Sequence, residues 1–224
     1  MKIIIFGATG MVGQGVLREA LNADDVSQVL AVGRAPLAIN HPKLDALVLS
    51  NLLDYTPVQD QLTGYDACFF CLGASAMGLD EAGYMRINHD IPLAAARTLS
   101  SLNPQLTFTY VSGAGTGSQS AMWARVKRRT EQDLLALPFK AAYMFRPGVI
   151  QPLHGVRSKT PAYNIFYTLT GPLLSLARRL LPRHVLSTEE LGVAMLEVVR
   201  HGAPRAVLET GDIRELLTPG KRRP

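Results

Sequence analysis

The sequence predicts an α/β domain built on a doubly wound parallel sheet, and three observations carry that expectation. Strand-like and helix-like patterns alternate from the first residue. The first apolar run breaks at a glycine-rich turn that opens a helix. The composition, 47% hydrophobic and 18% charged, suits a chain with a sizeable core and gives no sign of disorder.

Element by element, Lys2–Phe6 is a β-branched run and Met11–Asn22 has helical apolar spacing. Val26–Val32, Ala46–Leu49 and Cys68–Leu72 are the next apolar runs and read as strands. Glu81–Leu102 is a long helical stretch with Ile87, Ile91, Leu93, Ala94 and Leu99 on related faces. Thr107–Ser112, Ala121–Leu137 and Ala141–Phe145 continue the strand–helix–strand rhythm. Strands separated by helices give a parallel sheet covered on both sides, and right-handed crossovers place ligands at the carboxyl ends of the strands. After Arg146-Pro147-Gly148 the rhythm loosens, and Gln151–Pro172 is turn-rich and carries Tyr163, Phe166 and Tyr167. Leu173–Leu181 and Thr188–Arg200 read as helices, the second with Thr188 as N-cap and Glu189 and Glu190 favouring its dipole. With no separate core pattern in this tail, residues 1–224 read as one domain. Residues 151–224 then form a small substrate-side appendage, a lid over the cleft followed by helices.

Several function classes drop out. Cys68 and Cys71 are too few for a disulfide framework, and on a strand their side chains point to opposite faces, so a redox pair is not expected. The net charge of +5 comes from scattered residues with small clusters at Arg125–Arg129, Arg178–Arg183 and Lys221–Arg223. No aromatic residues interleave with them as on a base-stacking surface, so no nucleic-acid partner is expected. No metal-ligand spacing occurs, and no metal is expected. The apolar run Ile3–Phe6 is too short to span a bilayer and no leader pattern follows it, which predicts a cytoplasmic protein without a membrane partner.

Gly7-Ala8-Thr9-Gly10-Met11-Val12-Gly13 carries the chemistry. Glycines are needed where a turn is tight, where backbone approaches a pyrophosphate, and where the helix packs on the sheet; the helix N-terminus then presents amides to phosphate. After the second strand an acidic residue would bind a ribose 2′-hydroxyl, but no carboxylate occurs between Asp25 and Asp45. The strand ends at Val32-Gly33-Arg34, and the Arg34 guanidinium can meet a 2′-phosphate bidentately. The expected cofactor is NADP(H).

Gly7–Gly13, Gly33-Arg34, Cys71-Leu72-Gly73-Ala74, Ile87-Asn88, Val111-Ser112-Gly113, Lys127 and Arg146-Pro147-Gly148 stand in the order found in short-chain dehydrogenases/reductases. The chain resembles their atypical, NmrA-like branch, which includes the Tat-interacting oxidoreductase-like proteins. The resemblance is good over residues 1–150 and loose beyond. It implies a Rossmann fold in which Thr9, Met11 and Val12 line the pyrophosphate, Asn51 and Leu52 flank the adenine, and Leu72, Gly73 and Ala74 flank the adjacent ribose. In catalytically competent members a serine polarises the substrate carbonyl, a tyrosine moves the proton, and a lysine four residues later holds the nicotinamide ribose. Ser112 and Lys127 match; position 123 holds a tryptophan, whose N–H donates only. Ser112 and Lys127 are therefore the candidate catalytic residues, with Lys127 also holding ribose. Trp123 packs over the nicotinamide or the core. Tyr110 and Tyr143 are expected in the core, His89 packed or at the surface, and Tyr84 and His154 near the substrate border.

Two functions follow. The first is an NADP(H)-dependent oxidoreductase for a small carbonyl or quinone-like compound. The second is a non-catalytic protein that senses NADP(H) and signals to a protein partner or acts as a homodimer.

Overall fold

The computed structural model describes residues 1–154 and 185–218. Its central feature is a seven-stranded sheet in which every pairing is parallel, ordered β3-β2-β1-β4-β5-β6-β9. The strands are β1 (Lys2–Phe6), β2 (Gln28–Gly33), β3 (Leu44–Val48), β4 (Ala67–Phe70), β5 (Thr107–Val111), β6 (Ala141–Arg146) and β9 (Val207–Glu209). A separate parallel pair joins β7 (Val149–Gln151) to β8 (Val185–Ser187). The helices are α1 (Met11–Asn22), α2 (Glu81–Met85), α3 (Ile91–Leu102), α4 (Met122–Leu135), α5 (Thr188–His201) and α6 (Thr210–Leu216).

The alternation of strand side chains divides the core in two. Ile3 and Ile5 of β1 and Phe69 of β4 face α1 and α5, joined by Leu17, Leu191 and Met195. Ile4 and Phe6, with Cys68 and Phe70, face the other way, towards Leu93 and Leu99 of α3. There Phe6, Phe70, Phe108 and Phe139 stack in a row across three strands, with centroids 5.0, 6.1 and 5.0 Å apart. Cys68 of β4 and Cys71 just after it fall on opposite sides of the sheet, and burial pushes both thiols up.

Several boundaries differ from expectation. The long helical stretch is interrupted by a π-turn over Arg86–Asp90. Thr56–Leu62 forms a 3₁₀ turn that apolar periodicity did not reveal. The N-cap of α5 is Ser187 rather than Thr188. Its side chain accepts from the Glu190 amide at 3.0 Å while Glu190 accepts from the Ser187 amide at 2.8 Å, a capping box that outweighs a lone threonine. The tail is also more than an appendage, since β9 is the seventh strand of the main sheet and α5 packs on α1. That helix contact is close because Gly15 and Gly192 carry no side chain. A Cβ on Gly15 would lie 2.5 Å from Thr188 Cβ, and one on Gly192 2.9 Å from Glu19 Cγ. The expected lid, with Tyr163 and Phe166, and the helix Leu173–Leu181 fall largely or wholly at residues 155–184, outside the described residues.

Candidate cofactor and active site

β1 leads to β2 on one side of the sheet, while β4 begins the half on the other side, so the crevice between the carboxyl ends of β1 and β4 is the switch point of the topology. A cleft of about 400 Å³ opens there, lined by Gly7–Gly10, by the end of β2 at Gly33 and Arg34 just after it, and by Cys71, Leu72 and Gly73. A hollow of about 430 Å³ also lies between α5 and α6, but its lining includes no strand end and its Arg214 is already paired with Glu190 at 3.0 Å.

The glycine turn is built for close approach. Gly7 has φ +81°, and a Cβ there would lie 2.6 Å from the Leu72 amide nitrogen. A Cβ on Gly13 would lie 2.1 Å from the Gly7 carbonyl oxygen, so α1 can begin this close to β1 only without a side chain at that position. The Gly10 amide donates to Gly7 O at 2.9 Å, and Gln14 Nε2 donates to Thr9 O at 3.1 Å, fixing the loop. Gly10 caps α1 without a side-chain acceptor and no acidic residue stands in the first turn, so the amides of Met11, Val12 and Gly13 could receive an anion with no first-turn carboxylate in competition. This cradle fits a dinucleotide pyrophosphate.

Arg34 is exposed on the rim of the cleft, and it has neither a carboxylate nor another hydrogen-bond partner among the described residues. Leu72 and Gly73 line the opposite wall, and Ala74 follows them. The residues expected at the adenine behave differently. Leu52 is 3% exposed inside the core beneath Phe6 and Tyr55, and Asn51 caps the Leu53 amide at 3.1 Å; neither lines the cleft.

At the carboxyl end of β5, Ser112 is buried and its Oγ lies 3.2 Å from Thr116 Oγ1. The Thr116 hydroxyl donates to Gly113 O at 2.8 Å, so the shared proton of the pair comes from Ser112. Lys127 Nζ donates to the carbonyls of Val111 and Ser112, both at 3.2 Å, and sits 5.1 Å above the Tyr110 ring. Ser112 and Lys127 thus meet at one strand end. Burial lowers the Lys127 amine to about 8 against the partial support of the Glu131 carboxylate. Its titration by ¹⁵N-lysine side-chain NMR is expected near pH 8, and a midpoint at the 10.5 of a solvated lysine would refute this environment. Since the folded form gives up its proton first, stability should rise as pH climbs from 8 to 10.5.

One positioning residue carried no sequence-based role. Asn88, in the π-turn, donates from Nδ2 to Ala74 O at 3.3 Å and accepts at Oδ1 from the Ala74 amide at 3.2 Å, clamping the loop after β4. The Asn88 carbonyl, released from the helical ladder, accepts from Tyr110 Oη at 3.0 Å and Thr130 Oγ1 at 2.9 Å. An asparagine inside a predicted helix, where it competes with the backbone, was the available signal. Tyr110 and Tyr143 are core residues, and Tyr84 is also buried, its hydroxyl pushed up to about 12 by desolvation. His89 is packed between Asp90 (2.8 Å) and Asp133 (2.7 Å). His154 pairs with Glu189 at 2.7 Å in a left-handed backbone conformation, φ 56°.

No family model matches the chain. Curated relatives do, among them a yeast and a rat protein. FMP52, mitochondrial, of Saccharomyces cerevisiae is 31% identical over 180 residues, covering 77% of this chain and 74% of its own. Rat HTATIP2 is 29% identical over 155 residues, covering 66% of this chain and 62% of its own length. Among solved structures, a short-chain dehydrogenase/reductase family oxidoreductase from Burkholderia thailandensis superposes with TM-score 0.67 at 17% identity, over 93% of this chain and 89% of that one. Bordetella bronchiseptica WbmH, in complex with NAD+, superposes with TM-score 0.65 at 15% identity over 100% and 84%. Those likenesses give the fold, and the yeast relative, matched over most of both chains, gives the kinship: this chain belongs to the FMP52/HTATIP2-like family, on a fold it shares with short-chain dehydrogenase/reductase structures.

Proposed function

We propose that the chain binds NADP(H) across the β1–β4 crevice and passes hydride to a small carbonyl or quinone-like acceptor beside Ser112 and Lys127. The observation that carries the cofactor choice is Arg34, a guanidinium on the cleft rim with no anionic partner among the described residues. A 2′-phosphate would supply that partner, and NAD would not. Hydrogen bonds to charged groups contribute about 1.5–3 kcal/mol, so NADPH should bind at least about tenfold more tightly than NADH. In calorimetric titrations Arg34→Ala should erase that preference while NADH affinity holds. Equal affinities in the wild type, or a preference that survives in Arg34→Ala, would overturn the reading.

Residues of this chain then do three things. The first turn of α1 would bind the pyrophosphate, Asn88 holds the Leu72–Ala74 wall in place, and Lys127, at the end of β5, would hold ribose hydroxyls. The bound cofactor supplies hydride. A panel of aldehydes, ketones and quinones scored by NADPH oxidation tests the oxidoreductase reading. The regulatory reading, a cofactor sensor with a protein partner or in a homodimer, is favoured by one observation, the tryptophan at the position of the family's acid–base tyrosine; saturable NADPH binding with no acceptor turned over would select it. Nucleic acid and membrane are not part of either reading. Arg125, Arg146, Arg200 and Arg214 are engaged in ion pairs, and no helix among the described residues is long and apolar enough to cross a membrane. A cytoplasmic location belongs to the same proposal, against the mitochondrial designation of the yeast relatives, and cell fractionation decides it.

A further inference from the structure

The face of α4 that packs on the sheet carries Leu134, Thr130, Lys127 and Trp123, three or four residues apart on one ridge. Towards the helix N-terminus their surroundings change in step. Leu134 and Thr130 are wholly buried, Lys127 is half-buried against the last carbonyls of β5, and Trp123, one turn further, is half-buried past the strand end. A helix that follows a strand in this topology starts at the carboxyl edge, which puts Trp123, in the first turn of α4, at the edge where Ser112 follows β5. Its indole N–H has no hydrogen-bond partner among the described residues. Every phenylalanine and tyrosine side chain among the described residues is buried, apart from Phe139, which stacks on Phe108 at 5.0 Å. Among the described phenylalanine, tyrosine and tryptophan rings, Trp123 is thus the one that is neither buried nor stacked.

We propose that Trp123 is the stacking platform for the acceptor, and that the acceptor is a planar, electron-poor ring of quinone type rather than a saturated ketone. The inference rests on the NADP(H) reading above and deepens it. An indole presents a rigid, electron-rich face that pairs with an electron-poor ring in an offset stack. The chemistry agrees. A quinone that accepts hydride gains two electrons and one proton and takes one further proton from water; NADPH, quinone and H+ give NADP+ and hydroquinone. The anion before that last protonation is a phenolate, whose conjugate acid has a pKa of about 10, so water suffices and no tyrosine is needed. A saturated ketone would leave an alkoxide and would lose the contribution of a general acid, about 10²–10⁴-fold.

The chain has a single tryptophan, which makes the test direct. Menadione should quench Trp123 emission saturably with the fluorescence lifetime unchanged and should raise a charge-transfer absorption band, both with and without saturating NADP+; cyclohexanone should do neither. Trp123→Leu should abolish the charge-transfer band and raise KM for menadione about three- to tenfold, with NADPH affinity, read from nicotinamide fluorescence, unmoved. Trp123→Phe should keep KM within about threefold of wild type. Collisional quenching alone, with a falling lifetime and no saturation, overturns the inference. So does full quenching by NADP+ with nothing added by menadione, which would place the indole over the cofactor. If the wild type fails to bind NADPH, the cofactor reading falls, and the quenching and absorption by menadione alone still judge the platform.

Discussion

Gly13→Ala is expected to remove NADPH binding almost entirely and to weaken the fold. The added methyl would stand 2.1 Å from the Gly7 carbonyl oxygen and 2.7 Å from its carbon, and both atoms are backbone. Neither can swing aside as a side-chain end would, so the first turn of α1 must move away from β1. Overpacking of this kind costs about 1–3 kcal/mol. The loss to binding is larger, because the amides that cradle the pyrophosphate move with the turn. A displacement of about 1 Å at a preorganised site costs on the order of 10²-fold. Gly10→Ala is the control in the same loop. Its Cβ would meet Gly7 O at 3.3 Å and its φ of −83° suits any residue, so the change should be far milder. Calorimetry with NADPH and urea melts of both variants check the pair. Wild-type affinity in Gly13→Ala would show that the helix start can shift without harm, against the cradle described here.

That cradle was legible in the sequence because its constraints are local. The glycines, the strand before them and the helix after them lie within residues 2–22, and β1 and α1 have the boundaries that periodicity predicted. The four apolar residues of β1 are buried on both faces, as a central parallel strand must be. Ser112 and Lys127 were also placed together, since both flank one strand–helix connection. What escaped depends on partners far away in the chain. β9 is three residues long and gains its identity from pairing with β6, about sixty residues earlier. The π-turn exists because the Asn88 carbonyl finds Tyr110 and Thr130 from two other elements, which no window along residues 81–102 contains.

The least legible feature is also one of the most consequential. Arg146 and Glu131 form a bidentate pair, Nε to Oε1 at 3.0 Å and Nη2 to Oε2 at 2.5 Å, with side-chain exposures of only 13% and 4%. Arg146 ends β6 and Glu131 lies on α4, so the pair pins the helix that carries Trp123 and Lys127 to the sheet. Its third nitrogen reaches Glu209 of β9 at 2.9 Å, and these carboxylates hold the guanidinium firmly charged. Arg146→Met should cost about 3–5 kcal/mol, because it leaves a carboxylate buried without compensation. For a chain of this size that is a fall in Tm of roughly 10 °C. Glu209→Gln should cost under about 1 kcal/mol, since that carboxylate is 54% exposed and solvent screens it. The double change Arg146→Met with Glu131→Met should recover most of the loss, because the cost lies in the orphaned charge rather than in the missing bond. Glu131→Gln carries a second readout at the site. The carboxylate favours the charged form of Lys127, so its removal should move the amine further down from about 8. An Arg146→Met variant as stable as wild type, or a Lys127 midpoint unmoved in Glu131→Gln, would show that this pair supports neither the helix nor the amine beside it.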